Sequence, residues 1–219
     1  MPSIIKNIAV FTSGGDAPGM NAAIRAVVRT SIHEDINVLG IYRGYQGMIN
    51  NEFEVLNSYS VANIIQRGGT ILKSARSEEF RTKEGRASAI ENLRKNNIDA
   101  IVAIGGNGTY AGAKLLQEEG NIPIIGLPGT IDNDIYGTDF TIGYDTALNN
   151  AVSVIDKIRD TADAHERVFF VEVMGRDSGF IGLNVGMAVG DEAILIPEIY
   201  DDKEKLNEYF RSKKTRQKL

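Results

Sequence analysis

Four short apolar runs in this chain each end in a glycine-rich polar segment, and this repeated junction constrains the fold most. The clearest case is Ile122–Leu127, which leads directly into Pro128-Gly-Thr-Ile-Asp-Asn-Asp134. A short continuous apolar run is typical of a strand buried on both faces of a parallel sheet. Open parallel sheets bind their ligands at the carboxyl ends of the strands. The other polar segments are Ser13–Asn21, Gly105–Tyr110 and Met174–Gly179, which follow the apolar runs Ile8–Phe11, Ala100–Ile104 and Val168–Val173.

Helical patterns separate the apolar runs. Met20–Ser31 and Thr146–Thr161 carry apolar residues at intervals of three and four. Strands that alternate with helices predict right-handed βαβ units. We therefore expect an α/β fold with a doubly wound, largely parallel sheet covered by helices on both faces. The other predicted elements are strands Lys6–Thr12, Asn37–Tyr42, Ala100–Ile104, Ile122–Leu127, Val168–Val173 and Ala193–Ile196, and helices Ala87–Lys95, Ala111–Glu119 and Gly182–Val189.

Composition excludes several classes of function. The 219 residues carry a net charge of −5, which gives no electrostatic reason to expect a nucleic-acid partner. The absence of cysteine excludes disulfides, thiol catalysis and cysteine-bound metals, and His33 and His165 are too few for a histidine metal cluster. No stretch approaches the roughly 18 apolar residues of a membrane span, and the N-terminus lacks a signal-peptide pattern. We therefore expect a cytoplasmic protein with no membrane partner.

The glycine-rich junctions are suited to phosphate. Glycines let the backbone approach a ligand closely, and the free N–H groups of a following helix attract anions. The guanidinium of Arg176 matches a phosphate bidentately. No Walker loop is present, and any single junction is equally well explained as a tight turn. Four such junctions at the ends of strands in one sheet indicate an enzyme with a phosphorylated ligand.

Asp132 and Asp134 are the only closely paired carboxylates in these junctions. Transfer of a phosphoryl group to an alcohol needs a base for the hydroxyl, cations for the phosphate oxygens and usually Mg²⁺. One carboxylate of the pair is suited to act as the base and the other to hold the metal, directly or through water. The alternative is that both aspartates cap a following helix.

Five segments together resemble the bacterial ATP-dependent 6-phosphofructokinase family. The resemblance extends from Ile8 to Glu198, and Pro128–Asp134 is its most specific part. It implies phosphoryl transfer from ATP to the 1-hydroxyl of fructose 6-phosphate in glycolysis, giving fructose 1,6-bisphosphate, with Mg²⁺ and in a homotetramer. The segments are Ser13–Asn21, Gly68–Thr70 with Ser74–Arg76, Gly105–Gly108, Pro128–Asp134 and Val173–Arg176.

The resemblance also implies roles for individual residues. Asp132 matches the catalytic base, with Thr130 and Arg176 beside it. Gly108 and Gly129 match glycines of the ATP users, where pyrophosphate users usually carry Asp and Lys. Asn107 and Asp134 stand at the metal site. The implied sugar-phosphate contacts are Thr130, Ile131, Asp132, Arg167 (reaching a neighbouring subunit), Met174, Gly175 and Arg176, and the implied ATP contacts are Gly15, Arg76, Ser77, Gly106, Asn107, Gly108 and Thr109.

A nucleotide effector site is implied as well. Arg25 and Arg29 lie four apart on the first predicted helix, so both face one side, although spacing alone favours a solvated helix face. The family usually carries an arginine where this chain has Ser58, which weakens the expectation of allosteric control. The residues that match the effector site are Arg25, Arg29, Arg159, Gly190, Asp191 and Glu192.

The chain departs from the family pattern in two ways. Asn107 replaces an aspartate of the metal site, so weaker binding of Mg-ATP and slower transfer are expected. The chain also corresponds to about the first two thirds of a family member, as expected of a C-terminally truncated product. We expect a nucleotide-binding domain at 1–137, an incomplete sugar-phosphate domain at 138–200 and a charged tail at 201–219, either a frayed helix or a basic interaction tail. Two alternatives stay open: a nucleotide-binding remnant or partner subunit, and, less favoured, a pyrophosphate-dependent phosphofructokinase.

Overall fold

The sheet of this protein has six strands in the order β3-β2-β1-β4-β5-β6. The computed structural model describes residues 5–165 and 168–199 together with 204, 207, 208 and 211. The strands are β1 (Asn7–Thr12), β2 (Asn37–Ile41), β3 (Phe53–Leu56), β4 (Ala100–Gly105), β5 (Ile124–Thr130) and β6 (Ile142–Gly143). The helices are α1 (Met20–His33), α2 (Gly44–Ile49), α3 (Lys83–Lys95), α4 (Asn107–Gly120), α5 (Tyr144–Ala164) and α6 (Phe180–Val189), with a 3₁₀ turn at Glu79–Arg81.

All neighbouring strands are parallel except β2 and β3, so the predicted α/β fold with a largely parallel, doubly wound sheet is confirmed. The chain passes from β1 to β2 and β3 on one side, and then returns to β4, β5 and β6 on the other. Between β1 and β4 the strand order therefore reverses, and such a switch point leaves a crevice at the carboxyl ends of the two strands.

Both faces of the central strands are buried, as the apolar runs predict. In β1, Ala9 and Phe11 pack in a cluster that also contains residues of α2, α3 and α4, while Ile8 and Val10 pack on the opposite face with Ile24 of α1. Phe11 is completely buried, so its truncation to alanine should cost about 3–5 kcal/mol.

A third core cluster forms between α5 and α6. It contains Tyr144, Ile155, Ile181 and Val185, and Ile131 after β5 packs against both this cluster and the cluster beneath α1. Ile131 therefore links the two parts of the molecule. The predicted division after residue 137 stays a prediction.

Two predicted strands are wrong. Val168–Val173 and Ala193–Ile196 have no regular secondary structure, because no strand among the described residues is hydrogen-bonded to them, and a strand exists only with a paired neighbour. Several apolar side chains of this region are exposed, including Val168 and Met187. The predicted tail from Asp201 lies almost wholly outside the described residues.

Other differences concern the ends of elements. The elements α2, β3 and β6 are additional to the predicted ones, because none of them has a continuous apolar run or a helical period in its sequence. β5 continues through Pro128 to Thr130, and α4 begins at Asn107, so two predicted loops are shorter than expected. In the part of the chain that the structure describes, no helix is long and apolar enough to cross a bilayer.

Candidate active site at the carboxyl edge of the sheet

Three of the four glycine-rich junctions meet at the carboxyl ends of β1, β4 and β5. The Ser13 N–H donates to the carbonyl oxygen of Ile104 at 3.1 Å, and the Thr109 hydroxyl donates to the carbonyl oxygen of Ser13 at 3.1 Å. Gly105 pairs with Pro128 across β4 and β5. The parallel sheet thus brings together segments that are far apart in sequence, as the junctions predict.

The first loop leaves its backbone accessible. Gly14 has a positive φ of 86°, and Gly15 is exposed with no heavy atom within 4 Å of the position that a Cβ would occupy. A ligand can therefore approach the Gly15 backbone closely.

The first turn of α4 is open on one side and fixed on the other. Gly106 precedes the helix without any side-chain cap, and Asn107 and Gly108 are exposed. The first N–H groups of a helix have no partner within it and carry partial positive charge, which favours an anion. Thr109 is only 3% exposed, and its hydroxyl is already bonded to Ser13. Among the predicted contacts here, Gly106 to Gly108 remain open to a ligand, while the Thr109 side chain is structural.

The loop after β5 is fixed by its own polar groups. The Thr141 hydroxyl donates to the carbonyl oxygen of Thr130 at 2.7 Å, and the Asn133 side-chain oxygen accepts the Thr141 N–H at 2.8 Å. Asn133 itself has a left-handed backbone with φ of 52°, which asparagine tolerates well. The N–H of Asp132 donates to the Thr130 hydroxyl at 3.2 Å. These bonds hold the Asp132 carboxylate in place without using its oxygens.

Asp132 has the electrostatic character expected of a base. Partial burial raises the pKa of its carboxyl group, and the nearby charge of Asp134 raises it further, while Arg176 lowers it. A carboxylate whose pKa is raised accepts a proton more readily. The positive charge of Arg176 thus lies close enough to act on the Asp132 carboxyl group.

A hydrogen bond joins the fourth junction to this loop. The Ser178 hydroxyl donates to the carbonyl oxygen of Asp132 at 2.8 Å. Ser178 closes a turn with Gly175, its N–H donating to the Gly175 carbonyl at 2.9 Å, and Gly175 has φ of 140°. A Cβ at Gly175 would lie 2.4 Å from the Ser178 carbonyl oxygen, so the turn requires glycine. Met174 and Arg176 are exposed beside this turn.

Asn107, at the start of α4, and Asp134, in the loop after β5, form a direct pair. Asn107 Nδ2 donates to Asp134 Oδ2 at 3.0 Å and to the Asp134 carbonyl oxygen at 3.2 Å. Both partners are acceptors, so the amide nitrogen must face them and the Asn107 side-chain oxygen is turned away. Asp134 is itself exposed.

These side chains suit a magnesium ion that arrives with a phosphate. Among the described residues no group of three or more His, Cys, Asp or Glu side chains is placed to hold a metal. Mg²⁺ keeps several waters and is usually bound by one or two carboxylates and substrate phosphates. Asp134, with Asp132 nearby, meets that requirement.

The predicted contacts Arg76 and Ser77 differ in availability. Arg76 is exposed, whereas the Ser77 hydroxyl donates to Gln46 Oε1 at 2.8 Å and accepts the Phe80 N–H at 3.1 Å. The side chain of Ser77 therefore serves the local structure. Arg167 lies outside the described residues.

The predicted effector residues fall into two groups. On α1, Arg29 is exposed, but Arg25 donates to the carbonyl oxygen of Val61 at 2.5 Å. At the other group, Arg159 Nη1 lies 3.8 Å from the position that a Cβ would take at Gly190.

The second group carries mixed charge. Partial burial raises the pKa of the Asp191 carboxyl, Arg159 lowers it and Glu192 raises it again. α1 packs on β1, β2 and β4, whereas α5 packs on α6 and β6. The two groups thus belong to different parts of this chain.

Some residues that shape the site were not predicted. Asn133 and Ser178 lie inside the glycine-rich junctions Pro128–Asp134 and Met174–Gly179, and their side chains fix the loop that carries Asp132. Tyr45 and Gln46 of α2 contact Thr109 and Ser77. The tendency of asparagine to form side-chain turns could have identified Asn133, but the six residues of α2 are too few for a helical pattern.

The family model of phosphofructokinase matches residues 7–219. The ATP-dependent 6-phosphofructokinase of Cytophaga hutchinsonii is 62% identical over 199 residues, which cover 91% of this chain and 61% of that protein. ATP-dependent 6-phosphofructokinase 1 of Thermus thermophilus is 58% identical, over 98% of this chain and 66% of that protein. This chain therefore spans less than two thirds of the length of these relatives.

Solved structures give the same relationship. Phosphofructokinase from Saccharomyces cerevisiae superposes with a TM-score of 0.91 at 40% identity, over 97% of this chain and 32% of that chain. The pyrophosphate-dependent phosphofructokinase from Marinobacter aquaeolei superposes with a TM-score of 0.77 at 27% identity, over 93% of this chain and 56% of that chain.

Proposed function

Because this chain belongs to the phosphofructokinase family, we propose that it transfers a phosphoryl group from ATP to the 1-hydroxyl of fructose 6-phosphate. The product would be fructose 1,6-bisphosphate, and the protein would act in cytoplasmic glycolysis. The division at residue 137 into a nucleotide-binding and a sugar-phosphate domain belongs to this proposal. The observation that carries the proposal is the position of Asp132 in the loop directly after β5, where its carbonyl oxygen accepts the Ser178 hydroxyl of the turn that carries Arg176 and partial burial raises the pKa of its carboxyl group.

Asp132 is the proposed base. It takes the proton of the 1-hydroxyl as that oxygen attacks the terminal phosphorus of ATP, and ADP leaves from the opposite side. The Thr130 hydroxyl supports the loop by accepting the Asp132 N–H at 3.2 Å. Arg176 is proposed to stabilise the negative charge of the phosphate groups.

The open backbone around Gly15 and the first turn of α4 are proposed to hold the phosphates of ATP. The N–H groups at Gly106 to Thr109 supply partial positive charge, and the exposed Arg76 supplies a full one. Ser77 would contribute through its backbone, since its hydroxyl is engaged with Gln46.

Gly108 favours ATP over pyrophosphate as the donor. No heavy atom lies within 4 Å of a Cβ at Gly108, so packing does not require glycine there. A Cβ at Gly129, in contrast, would meet the Ile104 side chain at 3.0 Å, so packing alone accounts for that glycine. Of the two glycines, Gly108 is therefore the more informative about the donor.

Asp134 is proposed to receive Mg²⁺ that enters with ATP, with Asn107 beside it. When bound, the ion would neutralise charge on the phosphate oxygens. Asn107 contributes an amide where the family carries a carboxylate, so this chain should hold Mg²⁺ more weakly than its relatives.

The sugar phosphate is proposed to lie against Thr130, Ile131, Met174, Gly175 and Arg176. Arg167 would reach this ligand from a neighbouring subunit of a homotetramer. Arg25, Arg29, Arg159, Gly190, Asp191 and Glu192 are proposed to form an effector site between subunits, which agrees with their separation in one chain. Ser58 in place of an arginine should make that site weak.

A second candidate function is nucleotide binding without turnover, as a remnant or a partner subunit. The Asn107–Asp134 hydrogen bond favours it, because one carboxylate of the metal site is missing.

Mass spectrometry of the sugar product separates these possibilities. Purified protein is incubated with Mg²⁺, fructose 6-phosphate and either ATP or pyrophosphate. We expect a sugar bisphosphate with ATP only. Product with pyrophosphate only would contradict the choice of donor, and MgATP binding without any product would identify the second candidate.

A further inference from the structure

The short helix α2 touches two separate parts of the proposed nucleotide site. One part is the first turn of α4, Asn107–Thr109, and the other is the segment Arg76–Arg81. Tyr45 is 7% exposed, and its hydroxyl donates to the carbonyl oxygen of Thr109 at 2.5 Å. The residue after it, Gln46, accepts the Ser77 hydroxyl at 2.8 Å and donates to Glu79 Oε2 at 3.1 Å.

The ring of Tyr45 adds packing to these hydrogen bonds. It stacks on Phe80 with ring centroids 4.0 Å apart, and it lies 5.0 Å from the ring of Phe11 in β1. A Cβ at Gly112 of α4 would be 2.8 Å from the Tyr45 hydroxyl oxygen. Only glycine lets α4 approach Tyr45 so closely, so the distance between the two helices is fixed within narrow limits.

The segment Arg76–Arg81 is also held from its far side. The buried Arg86 donates to the carbonyl oxygens of Phe80 at 3.3 Å and Arg81 at 2.8 Å, and it pairs with Glu119. Glu119 lies at the C-terminal end of α4, so this anchor joins the segment to that end of the helix, whereas the contacts of α2 reach its first turn.

We propose that Tyr45 and Gln46 are positioning residues that set the spacing between the first turn of α4 and the segment Arg76–Arg81, and so set the affinity for the nucleotide. This inference rests on the proposed function. Burial raises the pKa of the Tyr45 hydroxyl, so it stays protonated and remains a hydrogen-bond donor throughout the working pH range.

Tyr45→Phe tests the inference, because it keeps the ring packing and removes only the bond to Thr109. Tyr144→Phe is the matched control: Tyr144 is 3% exposed and its hydroxyl bonds to Phe180 and Asn184 in the α5–α6 core. Amide hydrogen exchange is measured first, without ligand. We expect faster exchange in both Arg76–Arg81 and Asn107–Gly112 for Tyr45→Phe alone. The coupling between these two segments through α2 would be overturned if exchange became faster only in α2. It would also be overturned if Tyr144→Phe accelerated exchange in the two segments as much as Tyr45→Phe.

MgATP affinity is measured next by calorimetry, with the KM for fructose 6-phosphate in the same variants. We expect Tyr45→Phe to weaken MgATP binding about two- to tenfold, as for one lost hydrogen bond, with the sugar KM unchanged. Gln46→Ala should do the same. An unchanged MgATP affinity, or equal loss for both substrates, would overturn the positioning role. Wild-type protein that binds no MgATP would instead contradict the proposed function, and the exchange data would still decide whether the coupling exists.

Discussion

Asn107 donates to Asp134 twice through one side-chain nitrogen, at 3.0 Å to Oδ2 and 3.2 Å to the carbonyl oxygen. An aspartate at position 107 would place a third acceptor against these two. The resulting repulsion would be relieved by a divalent cation, and in its absence by movement of the side chains. The amide thus joins the first turn of α4 to the loop after β5, and we expect it to lower the affinity for a divalent cation.

Replacement of Asn107 by aspartate should create a stronger Mg²⁺ site. We expect the affinity for Mg²⁺ to rise on the order of tenfold, seen as a larger increase of Tm on addition of Mg²⁺, and turnover to rise with it. Asn121→Asp at the opposite end of α4 makes the same charge change away from Asp134 and should show no such response. An unchanged Mg²⁺ response and unchanged turnover in Asn107→Asp would contradict the role given to Asn107.

Asp132→Asn should lose turnover without losing stability. As the base, Asp132 should contribute about 10²–10⁴-fold to kcat. Its carboxyl pKa is raised in the folded protein, so the folded state is favoured below the unfolded pKa and pays a penalty as pH rises above it. Removing the charge should therefore keep or raise the Tm at neutral pH. Asp139→Asn in the same loop is the control, and a marked fall in Tm for Asp132→Asn alone would show that the carboxylate is structural.

The pH dependence of turnover follows from the Asp132 carboxyl group, whose pKa is raised. Asp132 must be deprotonated to accept the hydroxyl proton, so kcat/KM should fall as pH is lowered through its raised pKa. The midpoint of the acidic limb of the pH–rate profile should then lie above roughly pH 3.9, the pKa of an unperturbed aspartate. A limb at or below that value would mean that another group, or none, acts as the base.

Gly129→Ala should lower the stability of the protein, whereas Gly108→Ala should lower its affinity for MgATP. Gly129 is buried and a Cβ would press on Ile104, so Gly129→Ala should cost about 1–3 kcal/mol of stability. Gly108 has open space in the first turn of α4, so Gly108→Ala should fold with equal or greater stability. If phosphates approach this backbone, MgATP affinity should fall in Gly108→Ala. Unfolding curves and calorimetry on both variants measure this, and full MgATP affinity in Gly108→Ala would place the phosphates elsewhere.

The Arg86–Glu119 ion pair should make stability depend on pH. Hydrogen bonding to Arg86 lowers the pKa of the Glu119 carboxyl, so its contribution is present above the unfolded pKa and is lost as pH falls through the folded one. Glu119→Gln should lower the Tm at neutral pH. The difference in Tm between this variant and the wild type should become smaller in acid, where wild-type Glu119 is also uncharged. Glu118→Gln, whose carboxylate forms only a 4.0 Å pair on the surface, is the control. A Tm difference that does not narrow in acid would contradict the assignment.

The central sheet was predictable because its strands are buried on both faces and read as continuous apolar runs. β1, β4 and β5 lie where those runs occur, and α1 and α5 where the helical period is longest. Val168–Val173 has the same apolar pattern but is not a strand, because pairing depends on a neighbour that a local pattern cannot specify.

The site was predictable only in part, for a similar reason. Junctions at the carboxyl ends of neighbouring parallel strands lie at one edge of the sheet, so the convergence of the junctions that carry Gly15, Gly106 and Asp132 could be predicted from the apolar runs before them. The engagement of the Thr109 and Ser77 hydroxyls with the protein, and the contacts made by Tyr45 and Gln46, depend on packing between distant segments. Sequence spacing carries no signal for such contacts.

The most direct test of the proposed reaction is a coupled assay of this chain with ATP, Mg²⁺ and fructose 6-phosphate, run beside folded Asp132→Asn. We predict ADP formation that requires the sugar phosphate and falls at least about 10²-fold in the variant. Equal ADP formation in both proteins, or none from folded wild-type protein that binds MgATP, would contradict the assignment of Asp132 as the base of a phosphofructokinase.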